Sequence, residues 1–473
     1  MALWIDRAAS WRPDRVAVQA PERSLTYAEL VGRARALCRR LWRCGVRGGD
    51  RVAVELPPGA EFVVALHACM LAGAAIVPID LRLSERERTL RRAGAVVSIA
   101  GGEAFGDAAD EHSLEAADGL HGAADDGGAP GGNASADDSV LAVMHTSGTS
   151  AEPKAVELTR ANFLHSALAS AAMLGLDAEE RWLCPMPLTH VGGLSIPIRS
   201  AIYATTVVLH GRFELDAVLE ELMDPGRRIT LVSLVPTMLA RLLDAGLKRP
   251  PTLRWALLGG GPIAPALLAR AAAAGVPVAP TYGMTEACSQ IATFGHPLAG
   301  VELGLRGPQN EIVVRGPIVS PGALSDDGWL HTGDVGAFDE HGALAVVGRI
   351  SETIVTGGEN VAPAEVEAVL LEHPAIADAA VYGAPDPQWG ERVMAKVVVR
   401  NGSAPPSPQA LRDFCVARLA RFKVPKEITF VAELPRTPSG KLLRRALRAT
   451  DDPAAGTEAV TPADRGRRGR DAR

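Results

Sequence analysis

The sequence predicts an α/β protein: a large N-terminal domain of βαβ-type subdomains with a small β-rich layer, then an α+β C-terminal domain. Three observations predict it. Up to Leu298, apolar runs of strand length alternate with helical patterns. Beyond Leu298 the runs become short and turn-separated, and after Arg349 a helix–strand–strand–helix pattern starts afresh. At 473 residues the chain also exceeds one ordinary compact core.

Residues 25–45, LTYAELVGRARALCRRLWRCG, carry apolar side chains at helical spacing and stop at Gly45. RVAVEL (51–56) reads as a buried strand, EFVVALHACMLAGA (61–74) as a helix and AIVPID (75–80) as a second strand. Strand, helix, strand is the rhythm of a mostly parallel sheet. From 101 to 138 the chain turns to Ala, Gly, Asp and Glu, too poor in large apolar groups to offset chain ordering, and is expected to be a variable surface excursion. The rhythm resumes with VLAVMH (140–145), a helix after Thr159, TTVVLH (205–210), TLVSLV (230–235), WALLGGG (255–261) and VPVAPTYG (276–283). EIVVRG (311–316) and ALAVVG (343–348) form the β-rich layer. The C-terminal domain reads as helix 365–373, strands around 379–383 and 395–400, and helix 411–420. Domain bounds of 1–350 and 351–449 follow, with the polar, aperiodic tail 450–473 expected to be disordered.

The formal net charge of −6 gives no reason to expect nucleic acid or an acidic membrane as partner. Cys38, Cys44, Cys69, Cys184, Cys288 and Cys415 form no CxxC pair and no cluster with His at metal-ligand spacing, which predicts reduced thiols in a cytoplasmic protein. The start, MALWIDRAASWRPDR, does not read as a signal peptide, and no run of about 20 apolar residues calls for a spanning helix. Small-molecule partners are expected, with a homodimer left open.

Five motifs carry chemistry. HTSGTSAEPKAVELT (145–159) follows a strand. Its Gly and hydroxyl residues let backbone N–H groups approach phosphate oxygens, and Lys154 adds charge. It is not a Walker A loop, and a Ser/Thr-rich surface turn is the alternative. PTYGMTEACSQ (280–290) offers an aromatic platform, a hydroxyl and a carboxylate for Mg²⁺; a strand-to-turn junction with a solvated Glu is its alternative. GWLHTGDVG (328–336) places Asp334 in a Gly-flanked turn, where it is able to accept from ribose hydroxyls or simply serve the turn. GRISETIVTGGENVAPAEVE (348–367) is the fourth. LPRTPSGKLLRR (434–445) presents a Lys after Ser-Gly, either a point charge for phosphate or a solvated basic helix start.

In this order the five motifs resemble those of the adenylate-forming superfamily of acyl-CoA synthetases, luciferase-type enzymes and adenylation domains, from about Ser24 to Arg448. The resemblance implies an AMP-forming acid–thiol ligase using ATP, Mg²⁺ and coenzyme A. It also implies roles. Thr146, Ser147, Gly148, Thr149, Ser150 and Lys154 handle the β- and γ-phosphates; Gly259, Gly260 and Gly261 flank the adenine and acyl pocket, with Tyr282 stacking on the base. Thr285 touches the α-phosphate, Glu286 holds Mg²⁺, and Asp334 and Arg349 grip the ribose. Lys441 bridges the attacking carboxylate and the α-phosphate. The C-terminal domain is then mobile, turning at Ser351 so that Gly357, Gly358, Glu359 and Asn360 help form the thiol channel.

The chain departs from the superfamily pattern at Ala151 and Ala155, where Gly is usual, at Glu352, where Asp is usual, and between Gln290 and Glu311, which is short. Several phrases, among them PLTHVGGLSIPIRSAIY (187–203) and LRWALLGGGPIAPALL (253–268), look like those of o-succinylbenzoate–CoA ligases, which serve menaquinone biosynthesis. That acid carries a second carboxylate and needs a cation or several donors near it. Arg199 is the candidate, with His190 lining the acyl pocket; a structural Arg and a core His are the alternatives. Rival readings are a synthetase for another fatty or aryl acid, a carrier-loading adenylation enzyme and a silent binding protein.

Overall fold

The computed structural model describes residues 4–101, 114–116, 138–146, 154–436 and 442–449, with backbone alone at 114–116, 445 and 448–449. The tail 450–473, most of the 101–138 excursion, residues 147–153 and residues 437–441 lie outside the described residues. The described chain forms two compact units, one ending at Ser351 and one beginning at Glu352, one residue later than the expected bound.

Two sheets organise the larger unit. In the first, the strands Val278–Tyr282, Trp255–Leu258, Leu231–Leu234, Arg181–Cys184, Thr206–Leu209 and Val16–Gln19 run parallel in that spatial order, with short antiparallel strands at both edges. In the second, Ala95–Ala100, Arg51–Glu55, Ala75–Pro78 and Val140–Thr146 are parallel. Lys154–Thr159 pairs antiparallel with Val140–Thr146 at one edge. At the other edge Leu114–Ala116 pairs antiparallel with Ala95–Ala100, so three residues of the expected surface excursion join the sheet. An antiparallel sheet of Glu302–Arg306, Glu311–Arg315, Leu330–Phe338 and Leu344–Arg349 forms the β-rich layer.

The helix Tyr27–Arg43 starts from a capping box, in which the Thr26 hydroxyl accepts from the Glu29 N–H and the Glu29 carboxylate accepts from the Thr26 N–H. It packs on Ala60–Ala72, whose residues are buried on every side except at Glu61 and Leu71. A helix with no polar face belongs inside a core. No helix among the described residues is long and apolar enough to cross a membrane.

That buried helix carries His67, 1% exposed, with neither ring nitrogen hydrogen-bonded among the described residues. Burial pushes its pKa from 6.5 down to about 4. Between those values the unfolded chain takes up a proton that the native state refuses, so stability is full above pH 6.5 and falls as pH drops towards 4. At pH 5 this one group removes about 2 kcal/mol. His67→Leu, apolar and of similar size, is expected to recover about that much at pH 5 and to flatten the slope of unfolding free energy between pH 6.5 and 4. A slope unchanged in urea titrations of the variant would show that another group controls acid lability.

In the smaller unit the antiparallel strands Ile376–Asp386 and Gly390–Val399 pair along their lengths, and Ile376–Asp386 forms the sheet edge. Helices Pro363–Glu372 and Pro408–Val416 cover one face through Val366, Leu370, Leu411 and Cys415. Leu434, Leu442 and Leu447 pack with Ala380, Tyr382 and Met394 in a separate cluster.

Candidate active site

The candidate site of the larger unit lies at the carboxyl ends of parallel strands, where open α/β sheets bind ligands. Leu258 and Pro280 are register partners on Trp255–Leu258 and Val278–Tyr282, so Gly259–Gly261 and Tyr282 leave neighbouring strands side by side. After Tyr282 the chain doubles back. The Ile291 N–H donates to the Tyr282 carbonyl at 2.8 Å and the Ser289 N–H to Met284 at 3.1 Å. A Cβ on Gly283 would lie 1.5 Å from the Ser289 carbonyl oxygen, so only glycine fits under the returning strand. Cys288 and Ser289 take φ values of 49° and 89°, left-handed backbone that non-glycine residues rarely adopt. This folded turn presents Thr285 and Glu286, both half-buried, and the Glu286 carbonyl accepts from Ser320 at 2.8 Å.

Tyr282, Asp334 and Arg349 converge. The Tyr282 hydroxyl donates to Asp334 Oδ2 at 2.8 Å and Arg349 Nε to Oδ1 at 2.6 Å. Asp334 is buried, 5% exposed, and faces Arg349 as its register partner on the next strand. Burial first, then the Asp334 charge, pushes the Tyr282 pKa up, so the hydroxyl stays a donor. Sequence reasoning missed Thr332. Its hydroxyl donates to the Ile312 carbonyl at 2.7 Å and accepts from the Asp334 N–H at 3.0 Å, which sets the bend that turns Asp334 inward. The structure places Asp334 within the strand Leu330–Phe338 rather than in the expected turn, because it pairs with Arg349 in the ladder; a Thr two residues ahead of it was the available signal for the local bond.

The candidate phosphate loop begins and ends on a hairpin: Thr146 and Lys154 are register partners, and the Thr146 hydroxyl donates to the Lys154 carbonyl at 3.4 Å. Ser147, Gly148, Thr149 and Ser150 lie outside the described residues, as does Ala151. Glu286 makes no side-chain hydrogen bond or ion pair among the described residues, and no cluster of three metal-ligating side chains occurs among them. One open carboxylate suits Mg²⁺, which takes one or two protein carboxylates and completes its shell with ligand oxygens and water.

His190 caps the helix Val191–Tyr203 and is solvent-exposed at its start. Although the residue is exposed overall, surrounding chain strips part of the water from its imidazole and, opposed by Asp80 and assisted by Arg82 and Arg91, holds its pKa below the usual value. Arg199 lies on the same helix but is 2% exposed, not part of an open wall. Its Nη2 donates to the Ser166 hydroxyl at 2.9 Å, which donates to the Cys288 carbonyl at 2.9 Å. The guanidinium also lies over the Trp182 ring at 5.7 Å. Among the described residues no carboxylate pairs with Arg199, and its Nε has no acceptor. Ser166, missed by sequence reasoning, had no local signal: it reaches Arg199 from another helix, Arg160–Leu174.

In the smaller unit Gly357 and Gly358, with φ of 61° and 83°, form the two-residue loop between Ile354–Thr356 and Glu359–Val361. Glu359 and Asn360 are exposed strand residues, and the Gly357 N–H donates to the Trp389 carbonyl at 2.8 Å. Ser351 sits in the single turn Ile350–Glu352. Lys441 lies outside the described residues.

The AMP-binding enzyme family model matches residues 5–322, and the AMP-binding enzyme C-terminal domain model matches residues 365–441. The 2-succinylbenzoate–CoA ligase of Bacillus licheniformis is 38% identical, the match covering 94% of this chain and 98% of that one. Among solved structures, the o-succinylbenzoate CoA synthetase of Bacillus subtilis in complex with the acyl-adenylate intermediate OSB-AMP superposes with a TM-score of 0.82 at 35% identity, covering 94% and 97% of the two chains. The same Bacillus subtilis enzyme in complex with ATP and magnesium ion gives 0.80 at 36% identity, covering 94% and 98%.

Proposed function

Because the chain belongs to the AMP-binding enzyme family, we propose that it ligates o-succinylbenzoate to coenzyme A in two steps. In the first, a carboxylate oxygen of the acid attacks the α-phosphorus of ATP and pyrophosphate leaves. In the second, the coenzyme A sulfur attacks the acyl carbon, AMP leaves with the bond electrons and the thiol proton passes to solvent. The observation that carries this reading is Asp334, a buried carboxylate within the strand Leu330–Phe338, fixed from two sides by Tyr282 and Arg349. A fixed acceptor of this kind suits a ribose diol.

Thr146, Lys154 and the residues between them take the β- and γ-phosphates, Gly259–Gly261 and Tyr282 the adenine, and Thr285 the α-phosphate. Glu286 holds Mg²⁺, which offsets phosphate charge when bound. Lys441 stabilises charge that grows on the α-phosphate, and Gly357–Asn360 line the thiol channel after a turn at Ser351. The reaction belongs in the cytoplasm, where ATP and coenzyme A are available; six free thiols fit a reducing compartment.

The identity of the acid is supported by the named activity of the relatives and by Arg199. A buried guanidinium without a carboxylate favours an anion nearby. The aromatic carboxylate of o-succinylbenzoate answers it, with His190 at the pocket rim and with Arg199 acting through Ser166 and the Cys288–Ser289 backbone. The test is a pyrophosphate-release and thioester assay with o-succinylbenzoate, its analogue lacking the aromatic carboxylate, and a fatty acid. The native enzyme should prefer the dicarboxylate, and Arg199→Ala should shrink that preference about 10- to 100-fold, the range of a charge-assisted bond. Turnover of the fatty acid alone would sink the substrate, and an unchanged preference in Arg199→Ala would sink the role of that residue.

A further inference from the structure

At the amino ends of the first sheet, opposite the strand ends that carry the candidate active site, a cavity of about 330 Å³ is lined by Arg15, Arg181, Arg227 and Arg228. The strand register brings them together. Val16, Arg181 and Thr206 also line the cavity and are the first residues of the parallel strands Val16–Gln19, Arg181–Cys184 and Thr206–Leu209, with Thr206 the register partner of Arg181. Four cations around one cavity repel each other unless anions offset them.

Two of the four already have carboxylates. Arg15 donates to Glu179 Oε2 at 2.7 Å and to the Glu180 carbonyl at 3.3 Å, although its Nε is buried with no acceptor among the described residues. Arg227 lies 3.3 Å from Glu220 and 3.6 Å from Asp224. The other two have none. Arg181 is half-buried and donates only to neutral groups, from Nε to the Arg227 carbonyl at 2.8 Å and from Nη2 to the Gln19 amide oxygen at 2.5 Å. Burial holds its pKa below the usual guanidinium value; Glu221 opposes the shift, and Arg15, Arg228 and Arg227 add to it. Arg228 is exposed and makes no hydrogen bond or ion pair among the described residues. Its φ of 52° is left-handed backbone that glycine adopts freely, yet an arginine stands there.

We propose that this cavity is a second anion site, separate from the candidate active site, and that it takes a diphosphate group. Guanidiniums match phosphate oxygens with paired, planar contacts. A diphosphate offers two adjacent charged centres, one for each guanidinium that lacks a carboxylate, with Arg15 and Arg227 reinforcing the field. Longer polyanions are disfavoured, because Glu179, Glu220 and Asp224 are exposed beside the cavity and repel an extended phosphate backbone. The group is carried by free pyrophosphate or by the polyphosphate end of a nucleotide. The site stands on its own geometry, whichever acid the enzyme activates.

The test uses the full chain, native and with Arg228→Ala, Arg181→Gln or Arg181→Lys. Inorganic pyrophosphate, ATP and inorganic phosphate are titrated in turn while hydrogen exchange is followed at residues 224–230, a stretch outside the candidate active site. Pyrophosphate should slow exchange there, and inorganic phosphate should need a concentration at least about 10-fold higher. Protection by ATP as well would place nucleotides among the ligands, and protection by pyrophosphate alone would restrict the site to the free ion. Arg228→Ala and Arg181→Gln should each weaken the pyrophosphate effect about 10-fold or more, with Arg181→Lys in between. Arg228→Ala should keep the native unfolding temperature and the native adenylation rate, since that side chain holds no other group. Unprotected residues 224–230 at saturating pyrophosphate, or protection unchanged in Arg228→Ala, would overturn the site. Equal protection by inorganic phosphate would overturn the diphosphate assignment.

Discussion

Asp334→Ala is expected to lower kcat/KM for ATP by about 100-fold or more and to destabilise the larger unit by about 2 kcal/mol. Removing one member of a fully buried ion pair costs roughly 3–5 kcal/mol because the partner charge is stranded. Here the Arg349 side chain is 39% exposed and rehydrates once Asp334 is gone, so the lower figure applies. The functional loss is larger, because a ribose diol would lose a charged acceptor for two hydrogen bonds, each worth about 1.5–3 kcal/mol. Asp334→Asn keeps an acceptor for Tyr282 and should fall between the two. ATP–pyrophosphate exchange and urea unfolding read the two effects separately. A variant with native KM for ATP would remove Asp334 from the nucleotide site.

Gly283→Ala should be harsher on the fold, destabilising by about 3 kcal/mol or more. The added Cβ meets the Ser289 carbonyl oxygen at 1.5 Å, a distance that no rotamer change relieves because both groups are backbone. The turn from Met284 to Ser289 has to open, carrying Thr285 and Glu286 away and breaking the Ser320-to-Glu286 bond. Gly261→Ala is the control. Its Cβ would find only Pro236 Cδ at 4.0 Å, so its unfolding free energy should stay within about 1 kcal/mol of native. Equal stability of the two variants would mean that the turn adapts.

The strands were legible in the sequence wherever they alternate with amphipathic helices or stand between turns. RVAVEL and AIVPID fold as Arg51–Glu55 and Ala75–Pro78, and the helix read at 25–45 folds as Tyr27–Arg43. Its stop at Gly45 reflects a positive φ of 89° that follows the cap residue Cys44. The helix read at 411–420 instead runs Pro408–Val416, because Ser407 caps it and Pro408 opens it. Leu114–Ala116 was not legible, since three residues amid Gly and Asp carry no period. At the site, the motifs named Tyr282, Asp334 and Arg349 but not their mutual contact, which depends on strand register and on two sheets meeting. Contacts such as Ser166 to Arg199 or Glu352 to Arg444 join positions 33 and 92 residues apart, beyond any local pattern.

The edge strand Ile376–Asp386 of the smaller unit also bears on solubility. An edge strand offers unpaired N–H and C=O groups on which another chain can build, and natural sheets blunt such edges with charged side chains. On Ile376–Asp386 that protection comes from Asp378 and Glu367, which occupy the N–H groups of Ala379 and Val381, and from Arg444, which occupies the Val381 carbonyl. Arg436, through Asp378, and Arg444, through Glu367 and the Val381 carbonyl, thus help keep this margin closed to strand addition. Substitutions at Arg436 and Arg444 are therefore constrained by self-association.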